Sequence, residues 1–276
     1  MADRTVFKAH GLGNDYLVWE GGTPLHAAQA RALCHRHTGP GSDGVLEPFG
    51  SSRADAGIRI WNPDGSVAEK SGNGLRIASW WLHHLQGWAA EHTVDTGFDV
   101  VTSTVDGDQV TVQMGRATFD AAAIPTTEPV ARRAIQLGDD PLEVTAVATG
   151  NPHAVVFLDD DRFEQRPWRR WGAALERHAL FPHRTNVQFA HVDGPHRVQI
   201  RIWERGAGET SASGSSSCGV VAVGVHTGRL QVGRTEVVMP GGTLFVTCSA
   251  AYELVLEGPV APVGRMTLHP TWRPTS

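Results

Sequence analysis

The chain of 276 residues is short of cysteine, lysine and long apolar runs, and each shortage removes a class of function. Three cysteines, Cys34, Cys218 and Cys248, are too few and too scattered for a disulfide framework or a zinc knuckle. The only lysines are Lys8 and Lys70 and the net charge is −5, so no basic stripe is available to neutralise a run of phosphates. Nucleic acid is therefore not an expected partner. The longest apolar runs, such as Val220 to Val225, fall far short of the roughly 20 residues that span a bilayer. Met1-Ala2-Asp3-Arg4 lacks the apolar stretch of a secretory signal. A soluble, cytoplasmic protein in a reducing compartment is the expectation, with no membrane partner. Metal is not expected either, despite 14 histidines, His35 and His37 among them. His83 and His84 are adjacent and point to different faces of a helix, and no third ligand is placed with them.

What is present suits a globular protein. The apolar fraction is 41%, enough for a sizeable core, and the length favours two medium domains over one. Strands are predicted at Thr5 to Phe7, Gly57 to Trp61, Phe98 to Thr104, Gln109 to Met114, Leu142 to Ala148, Ala154 to Leu158, Val187 to His191 and Val198 to Trp203. Three more close the chain, around Val237 to Met239, Leu244 to Cys248 and Tyr252 to Leu256. Helices are predicted at Leu25 to His37, Leu75 to Leu85 and Val220 to Thr227. Ala121 to Ala131, with Pro125 and Pro129, reads as an irregular crossing between domains.

One spacing organises the rest. Trp61 is followed ten residues later by Ser71-Gly72, and Trp203 ten residues later by Ser213-Gly214, an offset of 142 residues. In each case a strand ends at the tryptophan, a polar segment with glycine follows, and Ser-Gly opens an apolar helix. Two structurally equivalent halves explain this most economically.

The plain structural reading of Ser71 and Ser213 is an N-cap with a glycine to ease the entry turn. As a pair on duplicated halves they suggest more. Free N–H groups and the positive dipole end make a helix N-terminus a binding place for a carboxylate. Two such termini facing one ligand suit proton removal on one side of a carbon and proton return on the other. Asn14, Asn62, Asn73, Asn151 and Asn186 lie in turns or at strand ends, where asparagine usually bonds locally. Glu204-Arg205 follows directly on a strand. Together these residues suit a zwitterionic amino-acid group, with its carboxylate on arginine and its ammonium on glutamate and amide oxygens.

Several stretches resemble the diaminopimelate epimerase family. They are Phe7-Lys8-Ala9-His10-Gly11-Leu12-Gly13-Asn14-Asp15-Tyr16, Gly41-Ser42-Asp43-Gly44, Trp61-Asn62-Pro63-Asp64-Gly65-Ser66 and Ser71-Gly72-Asn73-Gly74-Leu75-Arg76. Gly150-Asn151-Pro152-His153, Arg184-Thr185-Asn186, Glu204-Arg205-Gly206-Ala207-Gly208-Glu209-Thr210 and Met239-Pro240-Gly241-Gly242 continue the series in family order. The resemblance implies a mixed α/β (α+β) fold of two pseudo-symmetric domains, 1–117 and 118–276. Each is a mostly antiparallel sheet wrapped around a central helix, with the active site in the cleft between them. It also implies inversion at the α-carbon of an amino acid without a cofactor, with LL- to meso-diaminopimelate as the family reaction, and a homodimer as the candidate assembly.

The family's two catalytic cysteines map onto Ser71 and Ser213. A thiol at a helix N-terminus gives a usable base, whereas a serine hydroxyl needs a neighbouring one. His153 and Glu204 are the candidates to supply it. By resemblance Asn62, Asn151, Asn186, Glu204 and Arg205 grip the distal end of the substrate, and Asn14, Gly72, Asn73, Gly214 and Ser215 surround the reacting end. Gly44 stands where the family often has glutamine. Serine at both positions leaves three readings: introduced substitutions that trap a ligand, a native pair with altered chemistry such as one-base isomerisation assisted by His153, or a non-catalytic amino-acid-binding protein.

Overall fold

The structure is a computed structural model that describes residues 4–274, so Met1, Ala2 and Asp3 of the N-terminal reading lie outside the described residues. The chain divides into two compact units, one made of the residues up to Gln113 with those from Gly258 on, the other of Met114–Glu257.

The first unit runs β1 (Thr5–Gly11), β2 (Asn14–Trp19), α1 (Ala27–Cys34), β3 (Val45–Phe49), β4 (Ala56–Trp61), β5 (Val67–Ala68), α2 (Gly72–Gln86), β6 (Glu91–Asp95), β7 (Val100–Asp106) and β8 (Gln109–Arg116), which leads out of it. Pairing is antiparallel except for β2 with β3 and β4 with β6. Helix α2 packs against β1, β2 and β7 and is buried on every side from Gly72 to Leu82. It then emerges, so that Leu85, the last residue of the predicted helix, is 40% exposed. Gly87 ends the helix in the left-handed region, at φ 74°, where a side chain would be strained.

The second unit contains β9 (Arg133–Leu137), β10 (Asp140–Ala148), β11 (Pro152–Phe157), α3 (Trp168–Glu176), β12 (Asn186–Gly194), β13 (Arg197–Glu204), β14 (Gly208–Thr210), α4 (Gly214–His226), β15 (Gly233–Met239), β16 (Gly242–Cys248) and β17 (Glu253–Pro259). Here β11 with β12 and β13 with β15 are the parallel pairs. Helix α4 packs against β10, β11, β12 and β16. It begins six residues before the predicted Val220, because the buried serines Ser216 and Ser217 continue the helix toward its cap. The stretch from Ala121 to Ala131 belongs to this unit, where Ile124 and Val130 enter the hydrophobic cluster around Trp168 and Phe189.

The last strand, β18 (Ala261–Thr267), pairs antiparallel with β1 over Thr5↔Thr267 to His10↔Ala261. The linear division at 117/118 assigns these residues to the second half. Pairing over such sequence distance leaves no mark on local composition, and the strand joins the first unit.

The pairing register repeats strand by strand, with the 142-residue offset kept over β3, β4 and β5 and shifted at β2 and β6. Val45 faces Trp61 and Leu46 faces Ile60, as Val187 faces Trp203 and Gln188 faces Ile202. Ile60 faces Ala68 as Ile202 faces Thr210, and Ala56 faces Val94 as Val198 faces Val237. Leu17 faces Val45 as Ala154 faces Val187. By this register Asn14 corresponds to Asn151, Tyr16 to His153 and Gly44 to Asn186.

Candidate active site

Ser71 and Ser213 are both N-caps. Ser71 has extended backbone, φ −139° and ψ 118°, and its Oγ accepts from the N–H of Gly74 at 3.1 Å. Ser213 matches it at φ −154° and ψ 127°, with the N–H of Ser216 at 3.4 Å from its Oγ. Each hydroxyl satisfies one of the free donors of a buried helix start. Gly72 and Gly214 form the first helical residue in each case, and no acidic side chain stands in either first turn.

In the first unit a chain of amides and charges braces α2. The amide of Asn73 donates to Asn14 Oδ1 at 2.9 Å, and Asn14 donates to Asp43 Oδ2 at 3.0 Å. The buried Arg76 donates to Asn73 Oδ1 and to the carbonyl of Gly72. Arg36 bridges Asp43 and Asp15, each at 2.7 Å. Burial works to raise the Asp15 carboxyl, and Arg36 and Lys8 outweigh it and hold it below the usual range. Asn14 and Asn73 thus belong to one network around the first helix start. Asn62 does not. Its amide donates to Ser66 Oγ at 2.9 Å within its own turn, the commoner use of asparagine.

One neighbour of Ser71 is absent from the sequence-derived set. The Oη of Tyr16 lies 2.9 Å from Ser71 Oγ. The tyrosine stands in the quoted motif, but its reach to a serine 55 residues away leaves no local signal.

In the second unit the corresponding position is occupied differently. His153 is fully buried, its Nε2 2.8 Å from Asn151 Oδ1 and its Nδ1 3.1 Å from the amide nitrogen of Gln188. One tautomer satisfies both contacts: Nδ1 accepts from Gln188 and Nε2–H donates to Asn151. Burial, with the Arg205 charge nearby, lowers its pKa to about 3. The expectation that His153 serves as a base is therefore corrected. Its one lone pair is taken by a neutral amide and its charged form is disfavoured, so it positions Asn151. Gln188, also unforeseen, bonds Ser216 Oγ at 2.9 Å as well and so ties His153 to α4.

Asn186 is buried and uses its amide structurally. It donates to the carbonyl of Pro152 at 3.0 Å and accepts the backbone N–H of Arg205 at 2.9 Å. The next backbone N–H, that of Gly206, donates to the buried carboxylate of Glu176 at 3.0 Å. These bonds fix the turn that follows β13 and leave Arg205 exposed and Glu204 half-buried at its start. The carbonyl of Ser215 receives the hydroxyl of Thr149 at 3.5 Å. Cys34 and Cys248 are buried free thiols with raised pKa, Cys248 to about 11, and have no place in this chemistry.

A family model described as diaminopimelate epimerase matches residues 6–120 and 145–263, which takes in both serine caps. The diaminopimelate epimerase of Desulfitobacterium hafniense is 35% identical over 94% of this chain and 95% of its own length. The chain belongs to the diaminopimelate epimerase family. A second relative, diaminopimelate epimerase 2 of a Nostoc species, is 39% identical over 94% of this chain and 93% of its own. Among solved structures, a probable proline racemase from Agrobacterium radiobacter superposes with a TM-score of 0.73 at 16% identity, covering 96% of this chain and 93% of that one. At that identity the likeness shows the fold alone. By family the chain is a PLP-independent epimerase.

Among the described residues no cluster of three or more histidine, cysteine or carboxylate side chains could hold a metal ion. His83 and His84 instead bond the carbonyls of Trp88 and Gly107. No described helix is long and apolar enough to cross a membrane.

Proposed function

We propose that this member of the family inverts the α-carbon of an amino acid that carries a second zwitterionic end, with diaminopimelate the candidate substrate. One observation carries the reading: a serine caps a buried helix start in each of two units, at positions matched strand for strand. The free N–H groups of a helix start hold the α-carboxylate, and a carboxylate so held makes the neighbouring C–H easier to ionise. Ser71 and Ser213 are the two acid–base positions, one taking the α-proton and the other returning it. Asn14, Gly72, Asn73, Gly214 and Ser215 surround the reacting end. Arg205 takes the distal carboxylate and Glu204 the distal ammonium, in the turn that Asn186 and Glu176 fix. Asn151, held by His153, completes the polar lining, and Asn62 is assigned to it by the family resemblance alone, its amide being committed to Ser66. Cytoplasmic location is carried from the sequence expectation, and a homodimer from the family resemblance.

Calorimetric titration with LL-diaminopimelate, followed by chiral analysis of the product, tests the proposal. Binding with turnover to the meso form is expected, and Arg205→Ala should weaken binding by about 2–5 kcal/mol. Binding without turnover would make the chain an amino-acid-binding protein on this scaffold. No binding would contradict the reading altogether.

A further inference from the structure

We propose that Tyr16 is a proton relay for Ser71, so that the two serines are chemically unequal. The inference rests on the functional reading above and adds a residue to it. Serine alone is a poor acid–base group, and in this family member the question is what makes it competent. In the first unit the phenol of Tyr16, almost wholly buried, sits 2.9 Å from Ser71 Oγ. The same Oγ accepts the N–H of Gly74 at 3.1 Å, and the positive end of α2 favours negative charge there.

The placement of the phenol depends on a second position. Gly44 has no side chain, and a Cβ built on it would collide with the ring of Tyr16 and press on the carbonyl of Trp61. The glycine is therefore needed for close approach. In the second unit the position of Gly44 holds Asn186, whose side chain is committed to Pro152 and Arg205. The position of Tyr16 holds His153, turned to Asn151 and Gln188. Ser213 Oγ accepts the N–H of Ser216 at 3.4 Å, and the side chain in the position of Tyr16 is turned elsewhere.

The step balances without another reactant. The α-C–H bond breaks and its electron pair stays on carbon. Ser71 Oγ takes the proton while its own hydroxyl proton passes to the phenolate oxygen of Tyr16. The net movement is one proton from carbon to Tyr16, and the reverse returns it. An ordinary phenol is ionised to about one part in a thousand at pH 7, whereas a serine hydroxyl is far less acidic. Tyr16 acts through Ser71 and is a positioning and relay residue.

The test is deuterium uptake at the α-carbon of diaminopimelate in heavy water, with affinity measured in parallel by calorimetry. Tyr16→Phe keeps the ring that fills the space beside Gly44. It should lower uptake by about 100-fold and leave the Kd within about twofold. Adding Ser71→Cys to Tyr16→Phe should restore uptake, because a thiol at a helix start ionises without the phenol. Uptake that survives Tyr16→Phe, or a double variant no faster than the single one while both bind ligand, overturns the relay alone. No uptake by the unaltered protein overturns the relay together with the proposed function.

Discussion

The two halves of the molecule solve the same structural problem with different side chains. In each, a strand carries a tryptophan at its end or one residue before it, whose indole N–H must be satisfied under the following turn. Trp61 donates to Glu47 at 2.8 Å, a residue of the neighbouring strand β3. Trp203 donates to Glu176 at 2.9 Å, which lies at the end of helix α3. Both carboxylates are buried, and each also receives a backbone N–H, Leu25 in one case and Gly206 in the other. The repeat therefore lives in backbone register and in the cap serines. The residues that fill the frame around the caps, Tyr16 with Gly44 and His153 with Asn186, have diverged. A conserved frame with unequal filling allows two matched helix starts to do different chemistry.

The largest expected effect breaks the comparison at the carboxylates. Glu176→Ala should cost about 3–6 kcal/mol, from two hydrogen bonds to a charged group at roughly 1.5–3 kcal/mol each. Denaturant unfolding measures this. It should also loosen the Glu204–Arg205 turn and weaken diaminopimelate binding, whereas Glu47→Ala should destabilise without that loss of affinity. Equal effects of the two substitutions on binding would mean that Glu176 does not hold the recognition turn.

A smaller effect concerns the buried imidazole. His153 titrates near 3 in the folded protein and near 6.5 when unfolded, so below pH 6.5 the unfolded chain binds a proton that the folded chain does not. Its contribution therefore weakens as pH falls from 6.5 toward 3, by about 2 kcal/mol between pH 6.5 and pH 5. Unfolding curves across that range should show the slope, and His153→Gln should lack it. Gln188→Leu, which leaves His153 Nδ1 and Ser216 Oγ without the amide, should cost about 1–3 kcal/mol. A Gln188→Leu protein as stable as the parent would show that the amide is not bracing α4.

The smallest effect is on stability at the caps. Ser213→Ala should lose about 1 kcal/mol, since its hydroxyl accepts one N–H of a buried helix start. Ser71→Ala should lose that and about 1 kcal/mol more, because the Tyr16 hydrogen bond goes with it. Thermal melts of the two variants should differ in that order.

What was legible in the sequence was local or repeated. The caps at Ser71 and Ser213 follow from short-range chemistry, and the Trp-to-Ser spacing announces the duplication because it occurs twice. The turn around Asn62 closes on itself within four residues. The partners of Tyr16 and His153 were not legible, because a hydrogen bond across 55 or 35 residues depends on how strands are ordered, which composition does not encode. The same holds for β18, which is exposed along almost its whole length and whose place beside β1 is fixed only by pairing across the length of the chain. Gly44 could be read as a glycine, and the aromatic ring that requires it could not.

The central claim, that matched caps carry unequal chemistry, is tested most directly by α-proton exchange in Ser71→Ala and Ser213→Ala at saturating diaminopimelate. Ser71→Ala should lower deuterium uptake by about 100-fold. Ser213→Ala should lower it by less than about tenfold while abolishing inversion, so that deuterium enters with retention of configuration. Equal losses in the two variants, or a larger loss on the Ser213 side, would contradict the account.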